Sequence, residues 1–287
     1  MRSVRSRVRD WVPPRMLPVL RRVDRVMRRI YLRPIDAADG LRGRDSLTPP
    51  RSLIFVGDGD FKAVGREFRA YFIQLGGLRP DDRVLDVGCG IGRMAVPLTD
   101  YLSPQGEYWG FDIVKEGIDW CEGAISPRFP NFHFEHADIL NKHYNPAGVH
   151  LAREYRFPQG DASIDFAFLT SVFTHMLPPD LEHYLSELSR VMRPGGRCLM
   201  TFFLLNDESR RCLRARAGNL HFAHGIDGCL TIDANDPEAA LAYDEGAVRS
   251  RLAGVGLRVD EPIRFGSWCG RPSYLSYQDI ILVTKDD

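Results

Sequence analysis

Residues 83–98 read Arg-Val-Leu-Asp-Val-Gly-Cys-Gly-Ile-Gly-Arg-Met-Ala-Val-Pro-Leu, and no other stretch constrains the fold as strongly. Val84, Leu85 and Val87 have the character of a short buried strand. Gly88, Gly90 and Gly92 let the backbone turn tightly and approach a ligand closely. Met94, Ala95 and Leu98 then begin a helical pattern. A strand, a glycine turn and a helix in that order build the ligand crevice of an open α/β sheet.

The alternation continues downstream. Tyr108–Phe111 reads as a second strand with Asp112 at its carboxyl end. Asp112 follows Gly92 by 20 residues, the separation at which an acid meets a ribose diol in a βαβ unit. Lys115–Ala124 is a helix, and the alternating Phe132–Ala137 is a third strand that runs into Asp138. Residues 141–160 form a long polar connection. The buried strand Ile164–Leu169 is followed by Thr170-Ser171-Val172-Phe173-Thr174-His175. Leu181–Met192 is an amphipathic helix closed by Pro194-Gly195-Gly196, and Arg197–Leu205 is a further buried strand. A helix over Asp244–Ala253 and strands over Leu257–Ile263 and Tyr277–Thr284 close the chain. Such alternation predicts an α/β fold with a mostly parallel sheet. Residues 206–242 lack clean periodicity, and an insertion this long reads as a lid or binding loop.

Upstream, Phe61–Leu75 reads as a helix ended by Gly76-Gly77, with Asp58 and Asp60 shaping the preceding turn and capping it. Residues 35–52 read as a linker after Pro34. The net charge is zero, which argues against a general nucleic-acid binder, but it hides an asymmetry. Residues 1–34 hold eleven arginines against Asp10 and Asp24, so a basic arm is attached to an acidic body. Within residues 15–32, Met16, Val19, Leu20, Val23, Val26, Met27, Ile30 and Tyr31 share one helical face, with arginines on the other. That helix either lies on an anionic membrane surface or packs on the body with its arginines solvated or paired. The expected division is an arm over residues 1–52 and a single domain over 53–287. Six scattered cysteines without Cys-x-x-Cys fit a reducing, cytoplasmic setting, peripheral at the inner membrane face if the arm is an anchor. No metal constellation is evident.

The run Asp86-x-Gly88-x-Gly90-x-Gly92 resembles the first motif of class I S-adenosylmethionine-dependent methyltransferases. Asp112 closing the second strand, the Ala137-Asp138 pair and the Met192-Arg-Pro-Gly-Gly196 turn match that family in order and spacing, over roughly residues 60–285. The resemblance implies a Rossmann-like sheet, mostly parallel with an antiparallel closing strand and helices on both faces. It implies S-adenosyl-L-methionine as cofactor. The loop around Gly88, Cys89, Gly90 and Gly92 would meet the methionine moiety, and Asp86 would help orient its ammonium. Asp112 would take the ribose hydroxyls and Asp138 the adenine amino group, with Arg93, Ile113, Ala137, Thr170 and Ser171 lining the same site. An NAD site is disfavoured, because the third glycine comes one residue early and Arg93 stands where that fingerprint needs a small residue.

Methyl transfer requires positioning and exclusion of water, and a hydroxyl acceptor also benefits from a base. His175, just beyond the carboxyl end of a buried strand, is the first candidate. His221, His224 and His136 stand behind it. Trp268, Arg271 and His221 are candidate acceptor contacts. The expected activity is O-methylation of a small-molecule, glycan or lipid-linked acceptor. N-methylation of an aminolipid or amine, and a non-catalytic cofactor-binding scaffold, are the alternatives.

Overall fold

The computed structural model describes residues 30–287 apart from 56 and 58. Most of the candidate helix over 15–32, and Asp58, lie outside the described residues. Strands β1 (Arg83–Val87), β2 (Glu107–Asp112), β3 (Phe132–His136), β4 (Ile164–Leu169), β5 (Met192–Phe202), β10 (Leu257–Val259) and β11 (Asp279–Lys285) form one seven-stranded sheet. The order is β10-β11-β5-β4-β1-β2-β3. The pairs β1–β2, β1–β4, β2–β3 and β4–β5 are parallel, whereas β11 runs antiparallel to β5 and to β10. The strand order reverses between β1 and β4, so the crevice at their carboxyl ends is where an open α/β sheet takes its ligand.

Side-chain alternation along β1 divides the core. Leu85 and Val87 join the apolar layer under α3 (Pro178–Val191) and α5 (Glu245–Gly254). Val84 joins the opposite layer, with α1 (Phe61–Gln74) and α2 (Lys115–Ala124). Period-two alternation in a strand buried on both faces requires this division. Asp60 caps α1 by accepting from the Ala63 amide at 2.6 Å, and Phe72 of α1 stacks on Phe168 at 4.2 Å between ring centroids. A β-carbon on Gly65 would sit 2.5 Å from the Arg93 carbonyl, so α1 lies directly against the glycine loop.

Three expectations need correction. Residues 30–41 are helical, so Pro34 does not stop a helix there. Proline withholds one amide donor, which leaves the helix free to continue on its carboxyl side. The segment behind it is no loose linker either: Asp36 accepts from the Arg51 amide at 2.6 Å, Asp45 pairs with Lys62 at 2.6 Å, and Leu47 packs against the core. Second, no α-helix follows Gly92. The chain passes through turns into a short 3-10 segment, Val96–Leu98, because Pro97 has no amide to continue a ladder.

Third, the 206–242 insertion is folded. It contributes α4 (Asp207–Ala215) and most of a second sheet, in which β6 (Leu204–Leu205), β9 (Leu241–Asp244), β8 (Cys229–Thr231) and β7 (His224–Ile226) lie in that order. Strands of two to four residues are too short to display a period, so the sequence is silent about them. Leu204, Cys229, Leu241 and Tyr243 of this sheet face the main core. Phe203, Leu205, Phe222, Ala242 and Trp268 form a separate cluster on its other side.

Candidate active site

Gly88, Gly90 and Gly92 all have positive φ, at 81°, 58° and 73°, so each position needs glycine. A β-carbon on Gly88 would also lie 2.6 Å from Val172 Cγ2, where the loop meets the segment after β4. The Gly88 and Cys89 amides donate to the Phe111 carbonyl at 2.9 and 3.1 Å, which ties the turn to β2. Cys89 is buried and its thiol is pushed up by burial, so it is a packing group here.

Asp112 is part of the loop's scaffold. Its Oδ2 accepts from the Gly90 amide at 2.8 Å and its Oδ1 from the Val114 amide at 2.7 Å. Burial pushes the carboxyl up to about 6, although both amide bonds and the nearby His136 work the other way. Each oxygen keeps a second lone pair for a further donor. Asp86, on β1, is fully buried. Tyr108 Oη donates to its Oδ2 at 2.5 Å, whereas Oδ1 has no hydrogen-bond partner among the described residues. Burial raises this carboxyl to about 8, and the charge of Asp112 adds to the rise against the Tyr108 bond. A buried polar atom left without a partner is unusual enough to require a reason. Tyr108 was legible only as a strand residue; its place one strand over from Asp86 makes it a partner.

Ala137 is buried, and its amide donates to the Asp112 carbonyl at 3.0 Å. Asp138 Oδ1 accepts from Asn145 Nδ2 at 2.9 Å, and Ile113 is half-buried beside Asp112. Thus Gly88–Gly92, Asp86, Asp112–Ile113 and Ala137–Asp138 converge at the carboxyl ends of β1, β2 and β3. Arg93 is turned to another task. Its Nη2 donates to the Gly57 carbonyl at 3.2 Å and its guanidinium lies over the Phe61 ring, pinning the segment before α1 to the loop.

After β4, half-buried Thr170 leads into Ser171, which has a φ of 63°, a strained value for a residue with a side chain. The Ser171 amide donates to Thr201 Oγ1 at 2.7 Å, Thr201 Oγ1 donates to Gln278 Oε1 at 2.6 Å, and Gln278 Nε2 donates to Ser171 Oγ at 2.9 Å. Thr201 and Gln278 join the site only through the pairing of β4, β5 and β11, which no local motif signals. His175 closes a short 3-10 turn, Phe173–His175. Its Nδ1 lies 2.9 Å from the Glu238 carbonyl. A carbonyl only accepts, so Nδ1 carries the proton and Nε2 of the neutral ring is an acceptor. Burial pulls the pKa of this imidazole down, which favours that neutral form.

The remaining candidates fall elsewhere. Trp268 and Arg271, expected to grip an acceptor, are interior residues organised by Asp279. Asp279 Oδ2 accepts from Trp268 Nε1 at 2.7 Å and from the Leu204 amide at 2.6 Å. Its Oδ1 accepts from Arg271 Nη1 at 3.1 Å and from the Gly266 amide at 2.6 Å. Arg271 also meets Glu208 at 2.9 Å. These groups are consumed in joining the second sheet to the first. His221 and His224 are exposed near and on β7, while a different part of the insertion, Glu238, reaches His175. Among the described residues no three His, Cys, Asp or Glu side chains gather as a metal site would require.

A family model for a methyltransferase domain matches residues 78–225, just over half of the chain. The chain belongs to the methyltransferase-domain family. The matched region contains the glycine loop, Asp112, Asp138 and His175. A 27-O-demethylrifamycin SV methyltransferase of Amycolatopsis mediterranei is 30% identical over 128 residues, which cover 45% of this chain and 41% of the relative. The chain spans about two fifths of the length of the curated relatives it matches. Among solved structures, the PH0226 protein of Pyrococcus horikoshii OT3 has a TM-score of 0.55 at 17% identity, covering 82% of this chain and 95% of that one. A SAM-dependent methyltransferase of Methanosarcina mazei has a TM-score of 0.51 at 21% identity, covering 75% and 97%. At these identities the structural likeness speaks for the Rossmann-like methyltransferase fold.

Proposed function

We propose that the chain is an S-adenosylmethionine-dependent methyltransferase acting on a hydroxyl of a small molecule, with His175 as the base. The observation that carries this reading is the Nδ1–Glu238 contact, which leaves Nε2 of the half-buried His175 as an acceptor on a neutral ring. The named O-methylating relative supports the same acceptor atom.

The residues present suit the cofactor. Asp86 Oδ1 is a buried acceptor without a partner among the described residues, fitted to an ammonium. Asp112 would accept from the ribose hydroxyls with its remaining lone pairs, and Asp138 from the adenine amino group. The positive-φ glycines let the backbone stand close to the methionine end. When bound, the cofactor supplies a methyl group already activated on a sulfonium. His175 Nε2 takes the proton of the acceptor hydroxyl. The basic arm supports a finer reading, a lipid- or glycan-linked acceptor presented at an anionic membrane on the cytoplasmic side, and exposed Tyr31 and Leu41 would extend its apolar contact.

The test incubates the protein and cofactor with a panel of hydroxylated small molecules and lipid extracts and detects methylated product by mass spectrometry. His175→Ala should lower kcat by about a hundredfold or more with cofactor affinity unchanged by calorimetry. Turnover that survives His175→Ala would redirect the search to amine acceptors. Cofactor binding without any product across both sets would favour a non-catalytic scaffold.

A further inference from the structure

The insertion reaches the site at its far end. The turn Pro237–Ala239 presents the Glu238 carbonyl to His175 Nδ1 at 2.9 Å. Three side-chain contacts hold that turn. His143 Nε2 lies 2.6 Å from Asp236 Oδ1, with both side chains largely buried. Asn141 Nδ2 donates to Glu238 Oε1 at 3.3 Å, and Thr231 Oγ1 donates to the Pro237 carbonyl at 2.9 Å. The opposing segment is itself ordered around Asn141, whose Oδ1 accepts from the His143 and Tyr144 amides at 2.9 and 3.0 Å. The Tyr144 ring stands edge-on to His175 at 6.4 Å between centroids. Two segments almost a hundred residues apart in sequence thus meet beside His175.

We propose that the His143–Asp236 pair is the positioning device for His175: it holds the Pro237–Ala239 turn so that the Glu238 carbonyl keeps the proton on Nδ1 and leaves Nε2 as the acceptor. This rests on the reading of His175 as the base. A neutral imidazole in water prefers its proton on Nε2, the wrong tautomer for that role, and the hydrogen bond at the other nitrogen decides which form is held. The charges facing His175 are those of His143 and Asp236, which act on its proton affinity in opposite directions. Lys142 and Asp180 face the Glu238 carboxyl beyond them.

The experiment is nitrogen NMR of the full chain labelled at histidine, with steady-state kinetics on a hydroxylated small molecule from the panel that mass spectrometry shows to be methylated. The parent protein should show His175 as the Nδ1–H tautomer. In Asp236→Ala and in His143→Ala the signal should move toward Nε2–H. The value of kcat should fall about tenfold to a hundredfold, with acceptor KM and cofactor affinity nearly unchanged. Asp236→Asn, which keeps an oxygen for His143, should restore most of both. The two alanine variants break the pair from opposite sides, so either one that binds cofactor normally is decisive. An unchanged Nδ1–H tautomer, or a shifted tautomer with unchanged kcat, overturns the proposal. Intact turnover in His175→Ala would instead remove the base reading, and the tautomer would still report on the pair.

Discussion

Asp86 shows how a single side chain can be held against its own stability. The folded chain raises its carboxyl from an ordinary 3.8 to about 8. A folded state that binds the proton more tightly than the unfolded chain loses stability as pH climbs between those values. The cofactor-free protein should therefore melt progressively lower from about pH 4 to about pH 8, with Asp112 adding to the slope up to about 6. Asp86→Asn should flatten that dependence in thermal melts. The same substitution removes the charge that would meet the ammonium, so cofactor affinity should drop about tenfold or more. An ammonium beside Asp86 also favours its ionised form, so binding at neutral pH should release a proton, visible as a buffer-dependent heat in calorimetry. His175 is the opposite case: burial lowers its pKa, so the acid limb of kcat should fall below the usual imidazole range.

At the scale of elements, the second sheet is the part of the molecule most dependent on one buried charge. Asp279 accepts four hydrogen bonds, two of them from amides of the segments it joins, and it faces the Arg271 guanidinium inside the protein. Asp279→Ala would remove one of the two carboxylates that pair with buried Arg271 and leave the Leu204 and Gly266 amides and Trp268 Nε1 without their acceptor, a loss of roughly 3–5 kcal/mol. Urea denaturation followed by Trp268 fluorescence should show it as a lower midpoint, and an unchanged midpoint would mean that the joint is carried by apolar packing alone. The elements themselves divide by how local their signals are. β1, β2, β4, α1, α2 and α5 are readable from residues 61–254 because the strands are dominated by apolar residues and the helices space theirs at helical intervals. The turn after Gly92 is misleading, since Met94, Ala95 and Leu98 have a helical spacing that Pro97 prevents from becoming an α-helix. The Trp268–Arg271 loop looks like a binding loop in sequence, where Trp and Arg next to glycine suggest recognition, and becomes core only through Asp279 on a strand eight to eleven residues away.

At the scale of the whole molecule, the mostly parallel sheet is legible in the sequence and the wiring across the site is not. Strand–helix alternation implies the parallel crossing pattern, and the acid at each strand end marks the crevice. The partners that make those acids work are non-local: Tyr108 for Asp86, Asn145 for Asp138, Glu238 for His175. No spacing rule links such residues, because tertiary packing alone brings them together. The basic arm stands outside that logic, and its role is testable on the full chain. Replacing Arg25, Arg28 and Arg29 with Glu should reduce co-sedimentation with phosphatidylserine vesicles by more than about a hundredfold, given about 1 kcal/mol for each basic residue at such a surface. Cofactor affinity should not change. Sedimentation that is indifferent to these charges and to salt would leave the arm as a packing element.

One residue, Phe203, separates β5 from β6, and its own carbonyl accepts the Tyr243 amide at 2.9 Å. The insertion is therefore continuous with β5, an interior strand of the main sheet. A flap needs a hinge, a few residues whose dihedrals can swing without surrendering many bonds. Here any swing would peel β6 from β9 or β5 from β11, opening the core along with the site.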